Sequence, residues 1–133
     1  MQYAVPRRGV PGPAALRKWA RSAAPAGPLT VRIVGTREAR ALNRRFRRRD
    51  YATNVLSFAY GSEGDVVLCH PLVTREAREQ GKSRCAHYAH LVVHGVLHLR
   101  GYAHGDKASA RRMEAREVRI LRRLGFGDPY TLE

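Results

Sequence analysis

Acidic residues are scarce in this chain of 133 residues, which has 11 of them against 25 lysines and arginines. The first acidic residue is Glu38, so every charged side chain before it is basic. The net charge of +14 makes a polyanion the natural partner of such a surface. Because only three of the basic residues are lysines, an arginine-rich genomic background explains the excess equally well. Charge alone therefore leaves both interpretations open.

Cysteines and long apolar runs are also scarce or absent. The two cysteines, Cys69 and Cys85, lack CxxC spacing, which predicts buried, reduced thiols rather than a disulfide or a cysteine-based metal site. No apolar run reaches the ~18 residues of a transmembrane helix, and the N-terminus lacks the apolar core of a signal peptide. We therefore expect a cytoplasmic protein that does not enter a membrane.

The composition is otherwise ordinary for a globular protein, with 44% hydrophobic and 27% charged residues, and the length suits one domain over residues 1–133. Periodicity predicts helices over residues 13–24, 37–46, 74–80, 83–99 and 106–124, and strands over residues 29–34, 54–58 and 65–70, with a further short strand within residues 1–8. Thr36, Ser83 and Asp106 are the predicted N-caps. This pattern predicts an α+β domain in which a small mixed β-sheet packs with about five helices.

The histidines form the most specific pattern in the sequence. All six fall between His70 and His104, and four of them follow helical steps of three, four and four, which places their side chains on one face of the 83–99 helix. These four are His87, His90, His94 and His98. We interpret His70 and His87 as hydrogen-bonded core residues, because neither has a partner at metal-ligand spacing. His90 is left undecided between a structural role and a contact with substrate.

His94 and His98 are one helical turn apart, which suits two ligands of one tetrahedral zinc ion. Gly101 allows the chain to turn sharply after the helix, so that His104 can supply a third imidazole from the following loop. Three histidines leave a fourth position for water, as in catalytic rather than structural zinc sites. The spacing therefore predicts a site for one Zn²⁺ on a long central helix and the loop that follows it.

The spacing HxxxHxxGxxH also occurs in metzincin peptidases, whose motif has a glutamate directly after the first histidine. Here that position is Gly95, so the general base of such a peptidase is absent. The residues thus favour a metal site without peptidase chemistry.

Residues 94–104 (HGVLHLRGYAH), together with TNVLSF at residues 53–58 and GDVV at residues 64–67, resemble the YbeY family. The resemblance extends from about Leu29 to Tyr130. It implies a zinc-dependent bacterial endoribonuclease that acts in ribosomal RNA maturation, with His94, His98 and His104 as metal ligands and catalytic residues. It also implies that Arg47 lies beside the active site, and a guanidinium there suits both phosphate binding and catalysis.

The chain departs from the family at Ala103, where an aspartate is usual. If that aspartate orients a ligand histidine, Asp106 is a candidate to replace it. Ser57 and His90 are further candidates for substrate contact, and each has an equally plausible structural role.

We therefore predict a zinc metalloendoribonuclease that acts on single-stranded RNA, in maturation of the 3′ end of small-subunit ribosomal RNA and in ribosome quality control. The predicted partners are RNA, especially ribosomal RNA, and the ribosome. Two alternatives remain open, namely a ribosome-associated RNA-binding protein with a structural zinc and a zinc hydrolase of another substrate. The sequence indicates no oligomeric state.

Overall fold

The computed structural model of the chain describes residues 1–24, 27–61, 63–102 and 105–130. The strands are β1 (Gln2–Tyr3), β2 (Leu29–Val34), β3 (Val55–Tyr60) and β4 (Glu63–Cys69). The helices are α1 (Pro13–Ala23), α2 (Thr36–Arg47), α3 (His70–Glu79), α4 (Arg84–Leu99) and α5 (Lys107–Arg123). Five helices around a small sheet agree with the predicted α+β fold.

The four strands form one mixed sheet in the order β1-β2-β4-β3. The pairs β1–β2 and β2–β4 are parallel, with Val31 opposite Val66, whereas β3 and β4 form an antiparallel hairpin with Val55 opposite Leu68. Gly61 lies in the hairpin turn at φ +57°, a left-handed conformation that glycine adopts without strain. The two strands expected on either side of this turn therefore pair with each other.

β4 is buried on both faces of the sheet. Val66 and Leu68 belong to the larger core cluster, which α1, α4 and α5 cover, while Val67 and Cys69 belong to a smaller cluster beneath α2. This alternation is the period of two that a strand imposes on its side chains. The sheet is therefore enclosed between helices, and α4 packs across its larger core.

Several local predictions are corrected by the structure. α2 has Gly35 rather than Thr36 as its N-cap, and the first turn closes through the Gly35 carbonyl without any side-chain cap. α3 begins at His70 because Pro71, expected to end a strand, occupies the first helical turn, where its missing N–H and fixed φ are tolerated. Cys69 is buried as expected, whereas Cys85 is exposed. The caps at Ser83 and Asp106 are confirmed by their hydrogen bonds to backbone N–H groups.

Gly95 lets α4 approach the sheet closely. A Cβ atom at this position would lie 2.8 Å from Val66 Cγ1 and 3.1 Å from Ser57 Oγ. The Ser57 hydroxyl donates a 2.8 Å hydrogen bond to the Gly95 carbonyl, which joins α4 to β3. The position that is glutamate in the peptidase motif therefore faces the sheet in this protein, and a glutamate side chain has no room there.

We expect Gly95→Ala to lower the free energy of unfolding by about 1–2 kcal/mol. Overpacking a core typically costs about 1–3 kcal/mol, and the higher helix propensity of alanine offsets up to about 1 kcal/mol of this cost. Urea denaturation measures the difference. Gly127→Ala is the control, because a Cβ atom at Gly127 would meet no atom within 4 Å. Unchanged or increased stability of Gly95→Ala would show that the contact between helix and sheet is loose.

Candidate metal centre

α4 brings the predicted histidines to one side of the helix. The ring centroids of His94 and His98 are 4.8 Å apart, and those of His90 and His94 are 6.2 Å apart. The His94 and His98 rings are inclined by 72° to each other. Two of the three predicted ligands are therefore adjacent, and His104 lies outside the described residues.

A buried carboxylate from another helix holds two of these histidines. Glu117, on α5, is fully buried; its Oε1 lies 2.6 Å from His94 Nδ1 and its Oε2 lies 2.9 Å from His90 Nε2. The Tyr130 hydroxyl also donates a hydrogen bond to Glu117 Oε2. Because an ionised carboxylate only accepts hydrogen bonds, His94 Nδ1 and His90 Nε2 are the ring atoms that carry protons.

The electrostatics of Glu117 favour the ionised form. Burial raises the pKa of this carboxyl, but hydrogen bonds from His90, His94 and Tyr130 outweigh burial and lower the pKa to about 2. Burial and the adjacent Glu117 carboxylate raise the pKa of the Tyr130 hydroxyl, which therefore stays protonated and donates. Glu117 therefore accepts these hydrogen bonds as a carboxylate, next to the His94 ring.

The donor set fits a metal ion. With the proton of His94 on Nδ1, the basic nitrogen of this ring is Nε2, and a carboxylate behind a ligand histidine is the usual arrangement in zinc sites. Ligand atoms of His90, His94 and Glu117 lie within 4.8 Å of one another and could hold a metal. However, two ligands of a tetrahedral zinc ion are ~3.4 Å apart, and 2.6 Å is a hydrogen-bond distance. In this geometry Glu117 orients His94 rather than sharing a metal with it.

A basic cleft lies on one side of His94 and has a volume of about 530 Å³. Arg47 lines it together with His94, His98 and Ser57, so four of the predicted site residues meet here. Arg47 Nη2 donates a 2.8 Å hydrogen bond to the Ser57 carbonyl, and its guanidinium lies 5.8 Å from the Phe58 ring centroid. No acidic residue lines this cleft within the described ranges, which suits an anionic ligand.

A second cavity of about 970 Å³ lies on the other side of His94 and has a mixed lining. His87 and His90 face this cavity and not the basic cleft. Its charged lining residues are Glu76, Glu79, Asp128 and Lys82. With three carboxylates and one ammonium group, the larger cavity is less suited to phosphate than the basic cleft is.

The two histidines assigned to the core are both hydrogen-bonded. His87 Nε2 lies 2.9 Å from Glu76 Oε1, and burial lowers the pKa of His87. His70 Nδ1 lies 2.6 Å from the Tyr88 hydroxyl, well away from the His94–His98 pair in sequence. Both contacts agree with a structural role for these residues.

Glu117 is the site residue that sequence reasoning missed. A carboxylate between apolar Met113 and Ile120 at helical spacing is the signal that could have found it, because a charged residue on a buried helix face needs a buried partner. Asp106, the predicted replacement for the missing family aspartate, caps α5 through a 2.8 Å hydrogen bond from Ser109 N–H. Within the described ranges, the carboxylate that reaches His94 is therefore Glu117.

Comparisons with known proteins agree on one family. The sequence profile described as "Endoribonuclease YbeY" matches residues 15–125. A relative of that name from Methylibium petroleiphilum is 56% identical over 86% of this chain and 80% of its own length. One from Nitrosomonas eutropha is 47% identical over 100% of this chain and 98% of its own length. Other relatives are longer, and one from an Azoarcus strain is matched over 51% of its length.

The fold also has a counterpart among solved structures. A Thermotoga maritima protein solved in solution superposes with a TM-score of 0.58 at 21% sequence identity, over 98% of this chain and 97% of that one. This similarity concerns the fold alone. Together with the profile match and the identities above, the α4 histidines and the basic cleft lead to one assignment: the chain belongs to the endoribonuclease YbeY family.

Proposed function

We propose that this protein is a zinc-dependent endoribonuclease that cuts single-stranded RNA and holds one zinc ion with His94, His98 and His104. The observation that supports this most directly is the basic cleft, which places Arg47 and the His94–His98 pair around one space. The relatives' name, endoribonuclease, agrees with RNA as the substrate. A bound zinc ion would supply Lewis acidity and a water of lowered pKa.

The chain's own residues position the RNA and the metal. Arg47 offers further guanidinium donors to a phosphate, because only one is used by the Ser57 carbonyl. Those donors also stabilise negative charge that develops on the phosphate during cleavage. Glu117 keeps the proton of His94 on Nδ1, so Nε2 is the His94 nitrogen that would hold a metal ion.

Ser57 and His90 have supporting parts in this proposal. Ser57 lines the basic cleft, but its hydroxyl donates to Gly95 and its carbonyl accepts from Arg47, so it contributes to substrate binding by holding these two groups. His90 faces the larger cavity, and its Nε2 is hydrogen-bonded to Glu117. We place His90 in contact with a base of the RNA rather than with a phosphate, because the carboxylates of this cavity disfavour phosphate.

The RNA substrate and the cellular process are proposed from the family resemblance. We propose that the substrate is ribosomal RNA, with maturation of the small-subunit 3′ end and ribosome quality control as the processes served in the cytoplasm. Within the described ranges, no helix has the length and apolar character needed to cross a bilayer. The high positive charge supports an RNA-rich partner such as the ribosome.

Metal removal and restoration test the function. Protein purified without a metal-affinity step should contain about one zinc per chain by elemental analysis, and chelation should abolish cleavage of a labelled single-stranded RNA. Added zinc should restore cleavage, while peptide substrates stay intact. Metal-free protein that cleaves RNA as fast as the metal-loaded form, with contaminating nucleases excluded, would refute the proposal. Metal-loaded protein that binds RNA without cutting it would instead indicate a binding module.

A further inference from the structure

Basic side chains cover one side of α5. The helix contains seven of them in 17 residues: Lys107, Arg111, Arg112, Arg116, Arg119, Arg122 and Arg123. Four of these, Arg112, Arg116, Arg119 and Arg123, follow steps of four, three and four, so they share about 60° of the helix circumference at ~100° per residue. We call these four residues the arginine stripe; at ~1.5 Å per residue it is about 16 Å long.

No residue of the arginine stripe forms an ion pair with a carboxylate among the described residues, although Asp106 lies near enough to Arg112 to interact with it through space. Arginines elsewhere form such pairs, namely Arg32 with Glu38, Arg40 with Asp50 and Arg75 with Glu79. Over the part of the chain that the structure describes, the one side-chain hydrogen bond of the stripe is from Arg112 to the Ser109 hydroxyl. Like charges one turn apart repel each other. An external polyanion would relieve this repulsion, so the stripe is a surface that favours an anionic partner.

The shape of the arginine stripe favours double-stranded RNA. A straight helix presents about one guanidinium per ~5.4 Å turn, which suits the regular row of phosphates along a rigid duplex. Single strands are instead held by grooves with aromatic stacking platforms, and α5 contains no aromatic residue. The basic cleft differs, because the exposed Tyr51 lines it. The two basic surfaces therefore suit two different forms of RNA.

The N-terminal end of the arginine stripe lies close to the C-terminal end of α4, the helix that carries His94 and His98. Arg112 shares a small cavity of about 260 Å³ with Arg100, Ser109 and Tyr102. Arg100 and Tyr102 directly follow the end of α4, two and four residues after His98. The residues that line this cavity carry two guanidinium groups and two hydroxyl groups, and Arg100 uses one of its donors on the Ala23 carbonyl. The remaining donors suit one phosphate. A duplex along the stripe thus ends beside the C-terminal end of α4, the helix that carries His94 and His98.

We propose that the arginine stripe is a docking surface for an RNA stem, which holds an adjoining single strand at the basic cleft. The inference deepens the proposed function, since the docked stem and the cleaved strand belong to one substrate. It makes recognition depend on RNA secondary structure next to the cleavage site, as well as on the strand that is cut.

The test compares two triple variants of the whole protein. Arg112→Gln/Arg119→Gln/Arg123→Gln removes three exposed residues of the stripe. Arg17→Gln/Arg37→Gln/Arg78→Gln removes the same charge from exposed positions on α1, α2 and α3. The probes are an RNA hairpin with a single-stranded 3′ tail and the tail alone. Fluorescence anisotropy over a salt series measures their affinities, and circular dichroism checks that both variants fold.

The stripe variant should bind the tailed hairpin at least ~10-fold more weakly, with a log–log salt slope reduced by about 2–3 for three lost phosphate contacts. Its affinity for the tail alone should change less than twofold, and the control variant should retain most hairpin affinity. Equal losses in both variants, or an equal loss for the tail alone, would overturn the inference. The inference would also be overturned if the stripe variant lost affinity for anionic lipid vesicles while its affinity for the tailed hairpin stayed unchanged. If neither the unmodified protein nor either variant cuts the tail, the proposed nuclease function is refuted. The hairpin affinities of the two variants then still decide whether the stripe binds the stem.

Discussion

Replacing His98 with alanine is expected to abolish RNA cleavage while RNA binding persists. The His98 ring is 4.8 Å from the His94 ring, and the proposed zinc ion loses one of its three protein ligands in this variant. A metal typically contributes several kcal/mol to transition-state stabilisation, so the cleavage rate should fall by at least ~10²-fold. A labelled single-stranded RNA measures the rate, and elemental analysis measures the bound metal.

His70→Ala is the matched control for His98→Ala, because His70 contacts the Tyr88 hydroxyl and lines neither cavity beside His94. It should keep its metal and its cleavage rate even if some stability is lost. RNA affinity of the His98→Ala protein should stay within about threefold of the unmodified protein, since arginines contribute most of the phosphate contacts. Equal cleavage by the His98→Ala and unmodified proteins would refute a catalytic metal at this position.

Replacing Glu117 with alanine is expected to weaken both the metal site and the fold. Without the carboxylate, the His94 ring loses the acceptor that fixes its tautomer and orientation, which should lower metal affinity about 10–100-fold. The same change leaves hydrogen-bond donors of His90, His94 and Tyr130 without their acceptor. Each donor that stays buried without a partner lowers the free energy of unfolding by about 1–3 kcal/mol. We therefore expect a loss of several kcal/mol in unfolding free energy by urea denaturation.

Glu114→Ala controls for the loss of negative charge on α5. Glu114 is three residues earlier on the helix, is partly exposed and has no hydrogen bond or ion pair among the described residues. Its replacement should alter neither metal affinity nor stability by more than about 0.5 kcal/mol. Glu117→Gln adds a second comparison, because it keeps the side-chain shape and removes the charge. Metal affinity unchanged in both Glu117 variants would show that the carboxylate has no part in orienting His94.

The histidine pattern could be predicted from the sequence because its geometry is local. Residues four apart on a helix share a face whatever surrounds the helix, and the spacing of His94 and His98 needs no tertiary information. Capping at Ser83 and Asp106 is local in the same sense. By contrast, the predicted start of α3 is wrong, because Pro71 is compatible both with the end of a strand and with the first turn of a helix.

The contacts between elements could not be predicted in the same way. Glu117 reaches His94 across 23 residues of sequence, and only the packing of α5 on α4 determines which helix supplies the carboxylate. The role of Gly95 is also tertiary, since its lack of a side chain matters only where α4 meets Val66 and Ser57. Arg47 was expected beside the histidines from family resemblance, and the hydrogen bond that holds it there uses a backbone carbonyl, which leaves no pattern in the sequence.

The two hydrogen bonds of Ser57 differ in how they depend on its side chain. Its hydroxyl contacts α4 beside His94, and its carbonyl contacts Arg47, so one residue of β3 joins the two halves of the cleft. The Arg47 contact would survive almost any substitution at position 57, because every residue has a carbonyl. The separation between Arg47 and the α4 histidines, the proposed phosphate-binding and metal-binding groups, is therefore fixed by the main chain of a sheet strand. Little reorganisation of these groups would be needed for RNA to bind as proposed.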